Sequence, residues 1–223
     1  MTDAPRPRRR PRRPLLTREA VIEAAARVME RDGYAGLTMR AIADDLGVQA
    51  PALYWYVAGK EQLESLLYDH LMDGFAFSLS GDDWADHIRQ AARQLRARLH
   101  SKRDISHIVP FGFSLGPNGM TQLDAALAIL RSGGLGLRDA AYAFNLLFAY
   151  VVDWSPVDPN ASHDSAEPAL RDSRLALEAF DPALYPNVAA LAPDLTSNDP
   201  EGRFEFGLDC MIAGLERLVG RGA

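Results

Sequence analysis

From Thr17 onward, apolar residues recur at three- and four-residue steps: Val21, Ala24, Ala25, Val28 and Met29 share one stripe, the period of an amphipathic helix. Thr17 can cap this helix, Glu19 suits its first turn, and Gly33 ends it. The stretch LTMRAIADDLG predicts a second, short helix with Met39, Ile42, Ala43 and Leu46 inward, Thr38 as its cap and Gly47 as its stop. A tight turn follows, and Pro51 then sits at a favourable first helical position, although Ala50 is a poor cap; this third helix should run to about Val57. Two short helices joined by a glycine-containing turn make a helix-turn-helix, whose second helix can enter the major groove of DNA.

Residues 60–79 continue as a longer helix with Leu63, Leu66, Leu67, Leu71 and Phe75 on one stripe, and it connects two domains. A further helix starts at the Asp83 cap, with Ile88, Ala92, Leu95 and Leu99 inward and its arginines facing away. Helical patterns follow at about 104–113, 118–132, 138–154 and 169–180, and a last helix begins with Pro200 after the Asp199 cap. The Pro-, Asp- and Ser-rich stretch 155–168 predicts a surface loop. No stretch alternates with strand period, so the expected fold is all-α, with 1–16 as a disordered arm, 17–62 as a DNA-binding helix-turn-helix domain and 63–223 as a helical effector-binding and dimerisation domain.

Charge changes this picture by position. The net charge is −6, yet residues 1–60 carry eleven Lys/Arg against seven Asp/Glu, while 61–223 carry thirteen against twenty-three. One end suits a polyanion and the other does not. The arm PRPRRRPRRP holds six arginines and four prolines and no apolar residue, a composition that stays unfolded and leaves its arginines able to reach phosphates. Cys210 is the single cysteine and cannot form an internal disulfide. No signal peptide, membrane span, metal-ligand spacing or cofactor motif stands out, so a cytoplasmic protein without metal or cofactor is expected.

Tyr54, Trp55 and Tyr56 are consecutive, and on a helix they lie about 100° apart, so at least one must face outward. The segment LTMRAIADDLGVQAPALYWYVAGKEQL resembles the DNA-binding segment of TetR-type transcriptional repressors, matching in the spacing of Gly33, Thr38, Gly47, Tyr54 and Lys60. Trp84, HSKRD at 100–104, AAYAF at 140–144 and FEFGLDCMIAGLE at 204–216 resemble the C-terminal domain of the tetracycline-repressor subgroup. The resemblance implies that Tyr54 and Tyr56 meet DNA, that Trp55 packs or lies at the groove edge, and that Thr38, Arg40 and Lys60 reach phosphates or guanine edges. Ala50, Pro51 and Ala52 lie on the same reading segment. Alanine cannot hold a purine with two hydrogen bonds, so base reading should rest more on Arg40, Pro51 and the tyrosines.

The resemblance further implies a homodimer through helices 138–154 and 200–219, reading a palindromic operator whose half-sites lie about one helical turn apart or a little more. Phe204, Leu208, Met211, Ile212, Leu215 and Val219, with Gly207, Ala213 and Gly214 between them, form a stripe of the last helix that permits close helix approach and is expected to face the partner, the alternative being the core of its own chain. Aligned with the tetracycline pocket, Val109 stands where a metal-binding histidine is needed, and Ala91 and Ala126 replace polar contacts. A magnesium-tetracycline chelate is therefore not expected. Leu95, His107, Val109, Phe111, Phe113, Asn145, Phe148 and Trp154 are instead the candidates for a more apolar, aromatic or polyketide-like small-molecule effector. Asn145 and Asp153 can orient a ligand or bond across a dimer. The implied mechanism is a population shift that releases DNA on effector binding. Two rivals are an enzyme, for which no nucleophile or phosphate-loop motif is found, and a sequence-neutral architectural DNA-binding protein using the arginine arm.

Overall fold

A computed structural model describes residues 16–110, 115–155 and 163–222; nearly all of the arm, together with Phe111 and Phe113, lies outside the described residues. Every regular element among the described residues is helical, and the chain divides into two compact units, 1–63 and 64–223.

In the first unit α1 (Arg18–Gly36) opens where Thr17 accepts a hydrogen bond from the Ala20 amide at 3.1 Å, and α2 (Met39–Leu46) opens in the same way where Thr38 accepts from Ala41 at 3.1 Å. Gly47 closes α2 at φ 64° and ψ 33°, the left-handed geometry in which an L side chain is strained. Asp45 on α2 takes both Arg27 at 2.8 Å and Arg31 at 3.3 Å from α1, while Val21, Ala25, Val28, Ile42, Leu53 and Val57 fill the core between these elements. The third helix is tighter than expected. Residues Ala50–Trp55 wind as a 3-10 helix whose cap, Gln49, makes no side-chain cap bond.

α3 (Lys60–Leu71) begins in the first unit and ends in the second, eight residues before the expected Leu79. The apolar stripe that suggested a longer helix continues, but the backbone leaves it at Gly74, and residues 75–80 run without helical structure beside α4 (Trp84–His100). Gln94 both donates to and accepts from the Ser78 backbone at 2.8 Å, and Gln90 does the same for Ser80 at 2.9 Å. Two glutamines one helical turn apart thus satisfy the backbone that helix would otherwise have paired.

α4 packs against α5 (Pro117–Ser132), α6 (Leu137–Asp153) and α9 (Pro200–Gly222). Its arginines do not all face away as expected. Arg89 meets Asp209 at 2.9 Å, Arg93 meets Glu205 at 2.6 Å and Arg96 meets Glu201, an antiparallel ladder joining α4 to α9. Asp199 accepts from the Gly202 amide at 2.8 Å and caps α9. α7 (His163–Glu178) starts inside the stretch expected to be loop, and α8 (Pro186–Leu195) was not expected at all; the two pack on each other. Of the expected helix over 104–113, the described residues form a 3-10 turn, Ile105–Ile108.

The stripe expected to face a second copy is corrected by its burial. Phe204, Leu208, Ile212 and Leu215 are buried within their own chain, with the Phe204 ring stacked on Tyr150 at 5.5 Å. The outward apolar groups are Phe206 and Leu218 on α9 and Leu137, Tyr142 and Leu146 on α6.

Candidate DNA-contacting surface and effector cavity

Leu53 and Val57 anchor the 3-10 segment in the core of the first unit, and this turns the residues between them outward. Tyr54 is 56% exposed and Trp55 89% exposed, so among the described residues Trp55 stands almost wholly open. Tyr56 and Ala52 are half-buried, Ala50 likewise, and Pro51 is exposed. Thr38 is exposed but spends its hydroxyl on capping α2. Arg40 extends from the first turn of α2 with its side chain 90% exposed, touching Asp44 only at 4.0 Å. Lys60, at the start of α3, sets its ammonium over the Tyr34 ring at 4.4 Å, a cation–π contact that fixes where the charge points. Phenols, a guanidinium and an ammonium on one small unit are groups that reach phosphates and groove edges.

In the second unit a cavity of about 810 Å³ opens between the end of α3 and helices α4, α5 and α6. Leu95, Val109, Asn145 and Phe148 line it, as does Ala126. His107 is exposed, and Trp154 packs beside Tyr150 at 6.0 Å; neither is part of the lining. Sequence reasoning missed Tyr68, Met72 and Phe77, because α3 was read only as a connector; the one sequence signal was a tyrosine set in a leucine-rich helix. Phe144 and Phe148 stack at 5.4 Å and separate the cavity from a small apolar annex of about 60 Å³ floored by Ile88, Ala91 and Ala92. Walls of this kind suit a flat apolar molecule with few polar groups. No group of metal-ligating side chains occurs among the described residues.

The end of α3 is fastened by charge at this cavity. Asp69 accepts from the Gly119 amide at 2.9 Å, standing in for the side-chain cap that Gly116 cannot give to α5. Asn118 adds a donor to the Asp69 carbonyl at 3.1 Å. A Cβ on Gly116 would lie 2.3 Å from the Asp69 carboxyl carbon, so only glycine admits this carboxylate. Arg98 donates to the carbonyls of Leu71 and Asp73 at this same C-terminal end of α3, and Gln122 donates to Phe75. A carboxylate at a helix N-terminus and a guanidinium at a helix C-terminus each match the helix dipole.

Comparison with known proteins bears on both units. The family model described as bacterial regulatory proteins, tetR family, matches residues 21–64, and that described as tetracyclin repressor-like, C-terminal domain, matches 78–219. The chain is 30% identical over 206 residues to the tetracycline repressor protein class C of Escherichia coli, covering 91% of this chain and 92% of that one. It is 29% identical over 223 residues to the transcriptional repressor DrrR1 of Streptomyces coeruleorubidus, covering 96% and 82%. ActR of Streptomyces coelicolor, solved in complex with actinorhodin, has a TM-score of 0.84 to this fold at 29% identity, covering 94% of this chain and all of that one. These relatives are regulators of transcription. No described helix is long and apolar enough to cross a membrane.

Proposed function

The chain belongs to the TetR family of bacterial regulatory proteins, and from that premise we propose that it is a homodimeric repressor in the cytoplasm that releases a palindromic operator on binding a small, largely apolar effector. It is a ligand-responsive DNA-binding regulator and not an enzyme. The observation that carries the reading is the pairing of an outward aromatic and cationic edge in one unit with an aromatic-walled cavity in the other. Residues 17–62 read DNA: Tyr54, Tyr56, Arg40 and Lys60 supply polar contacts, Pro51, Ala50 and Ala52 touch groove edges, and Thr38 holds α2 in place. Residues 63–223 hold effector and partner. Leu95, Val109 and Phe148 give the effector apolar contact, and Asn145 offers an amide.

The outward Tyr142 and Leu146 of α6 and Phe206 and Leu218 of α9 support a two-fold interface, since such groups gain most by covering one another. With Val109 at the cavity and no metal-ligating cluster among the described residues, the lining favours an organic molecule bound without magnesium. The test is fluorescence anisotropy at two salt concentrations, with DNA from upstream of the protein's own gene and a scrambled control. A preference of roughly 10³ for the native fragment that persists at the higher salt supports a regulator. Equal binding that collapses with salt overturns it in favour of a sequence-neutral polyanion binder.

A further inference from the structure

Tyr68 keeps only 4% of its surface exposed, in a wall it shares with Met72, Phe77, Leu95 and Phe148. Its hydroxyl forms no hydrogen bond with any described residue. The hydroxyl is not among the fully buried orphan atoms, so it keeps some accessible surface although the ring is covered. Tyr68 is part of the lining of the cavity, which has room for a tricyclic molecule, so an acceptor bound there can take its proton in place of water. Burial, helped by the neighbouring Asp69 carboxylate, pushes the Tyr68 pKa up to about 12, so the group stays a donor throughout the physiological range.

We propose that Tyr68 anchors the effector by donating a hydrogen bond to it, so that the cavity selects flat apolar molecules that carry an acceptor oxygen on the side facing Tyr68. The flat face lies against Phe77, Phe144 and Phe148. This rests on the effector-cavity reading and adds the chemistry that the site selects. The anchor's position also assigns it a second consequence. Tyr68 lies on α3 beside Asp69, the carboxylate that fastens α3 to α5, so a ligand held by Tyr68 acts on the helix that continues into the first unit.

Two probes test the anchor: hydroxymethyl-anthraquinone and hydroxymethyl-anthracene, the same tricycle with and without ring carbonyls, titrated into the full-length protein by fluorescence quenching. The wild type should prefer the quinone by about tenfold, the worth of one net hydrogen bond. Tyr68→Phe should lose that preference while binding the hydrocarbon as before and keeping its melting temperature. A quinone preference that survives in Tyr68→Phe overturns the anchor and leaves the cavity reading standing. Failure of the wild type to bind either probe overturns the proposal together with the aromatic-cavity reading.

Discussion

Removing the carboxylate of Asp69 has a cost that can be worked out from its contacts. Its Oδ1 is 2.9 Å from the amide of Gly119, a buried residue at the start of α5. Loss of an N-cap acceptor costs about 1 kcal/mol, loss of a charge at a helix N-terminus about 0.3–1 kcal/mol, and leaving a buried amide unpaired adds to both, so Asp69→Ala should cost about 1.5–3 kcal/mol. Asp69→Asn keeps an acceptor and loses the charge, so about 0.5–1 kcal/mol is expected. Gly116 supplies the sharper test. Its φ of −77° is open to any residue, so alanine there should by itself stabilise by about 0.4–1 kcal/mol through the unfolded chain. In the native background, however, the added Cβ meets the carboxyl carbon at 2.3 Å and must displace it.

Gly116→Ala should therefore destabilise the wild type by an amount close to that of Asp69→Ala, and be neutral or stabilising once Asp69 is already alanine. That change of sign is a coupling of at least about 1 kcal/mol, read by urea unfolding of the four proteins of the cycle. In thermal melts a kcal/mol corresponds to roughly 2–4 °C at this chain length. If Gly116→Ala has the same effect in both backgrounds, the carboxylate is not held at the start of α5, and the account of how α3 is fastened to the cavity wall fails.

Further outcomes follow from other elements. Gly47→Ala forces a Cβ into left-handed geometry and should cost about 1–2 kcal/mol, with operator affinity falling in proportion to the unfolded fraction. Trp55→Ala should leave the melting temperature unchanged, since the ring is 89% exposed, while weakening operator binding in anisotropy. The hydrogen bond from Arg93 holds the Glu205 carboxyl below its ordinary pKa. A lowered carboxylate stabilises above its unfolded pKa and loses that stability as pH falls through the folded one, so the α4–α9 ladder should weaken as pH falls below the ordinary carboxylate range. Glu205→Gln should flatten that part of the melting-temperature profile, and an unchanged profile would refute the assignment. Deleting residues 1–14 should make the log–log salt slope of operator binding shallower, by roughly 0.9 for each arginine that meets a phosphate.

What could be read from the sequence was mostly what is local in it. Thr17, Thr38, Asp83 and Asp199 were identifiable as caps because a cap is specified within three residues of its helix, and each one makes the bond expected of it. The end of α3 was not legible, because the apolar stripe runs on through Phe75 while the decisive partners, Gln90 and Gln94, lie well beyond it in the chain. Arg89, Arg93 and Arg96 were read as facing away for the same reason: their acids are more than a hundred residues further on. On α9 the periodicity marked Phe204, Leu208 and Ile212 as a stripe, but period alone does not say whether a stripe is covered by its own chain or by another. The cavity was half legible. Its apolar walls stood out by residue type, whereas Tyr68, Met72 and Phe77 come from a segment whose apolar residues had already been assigned to connecting the domains.

The energetics of release set a demand on this cavity that one residue does not meet. Moving an equilibrium from almost wholly DNA-competent to almost wholly released needs about 10⁴ in differential affinity. A homodimer has two cavities, so each ligand must favour the released conformer by about a hundredfold, or roughly 2.7 kcal/mol. A hydrogen bond to Tyr68 formed fully in one conformer accounts for about half of that. The other half corresponds to about 50 Å² more apolar surface covered in the released conformer, at 25 cal/mol per Å². That is less than the face of a single phenyl ring, so a shift of the end of α3 and the segment that follows it, bringing Met72 and Phe77 closer to the ligand, is sufficient. It also follows that a dimer with one occupied cavity should retain operator binding at an intermediate level, and that full release should track occupation of the second site.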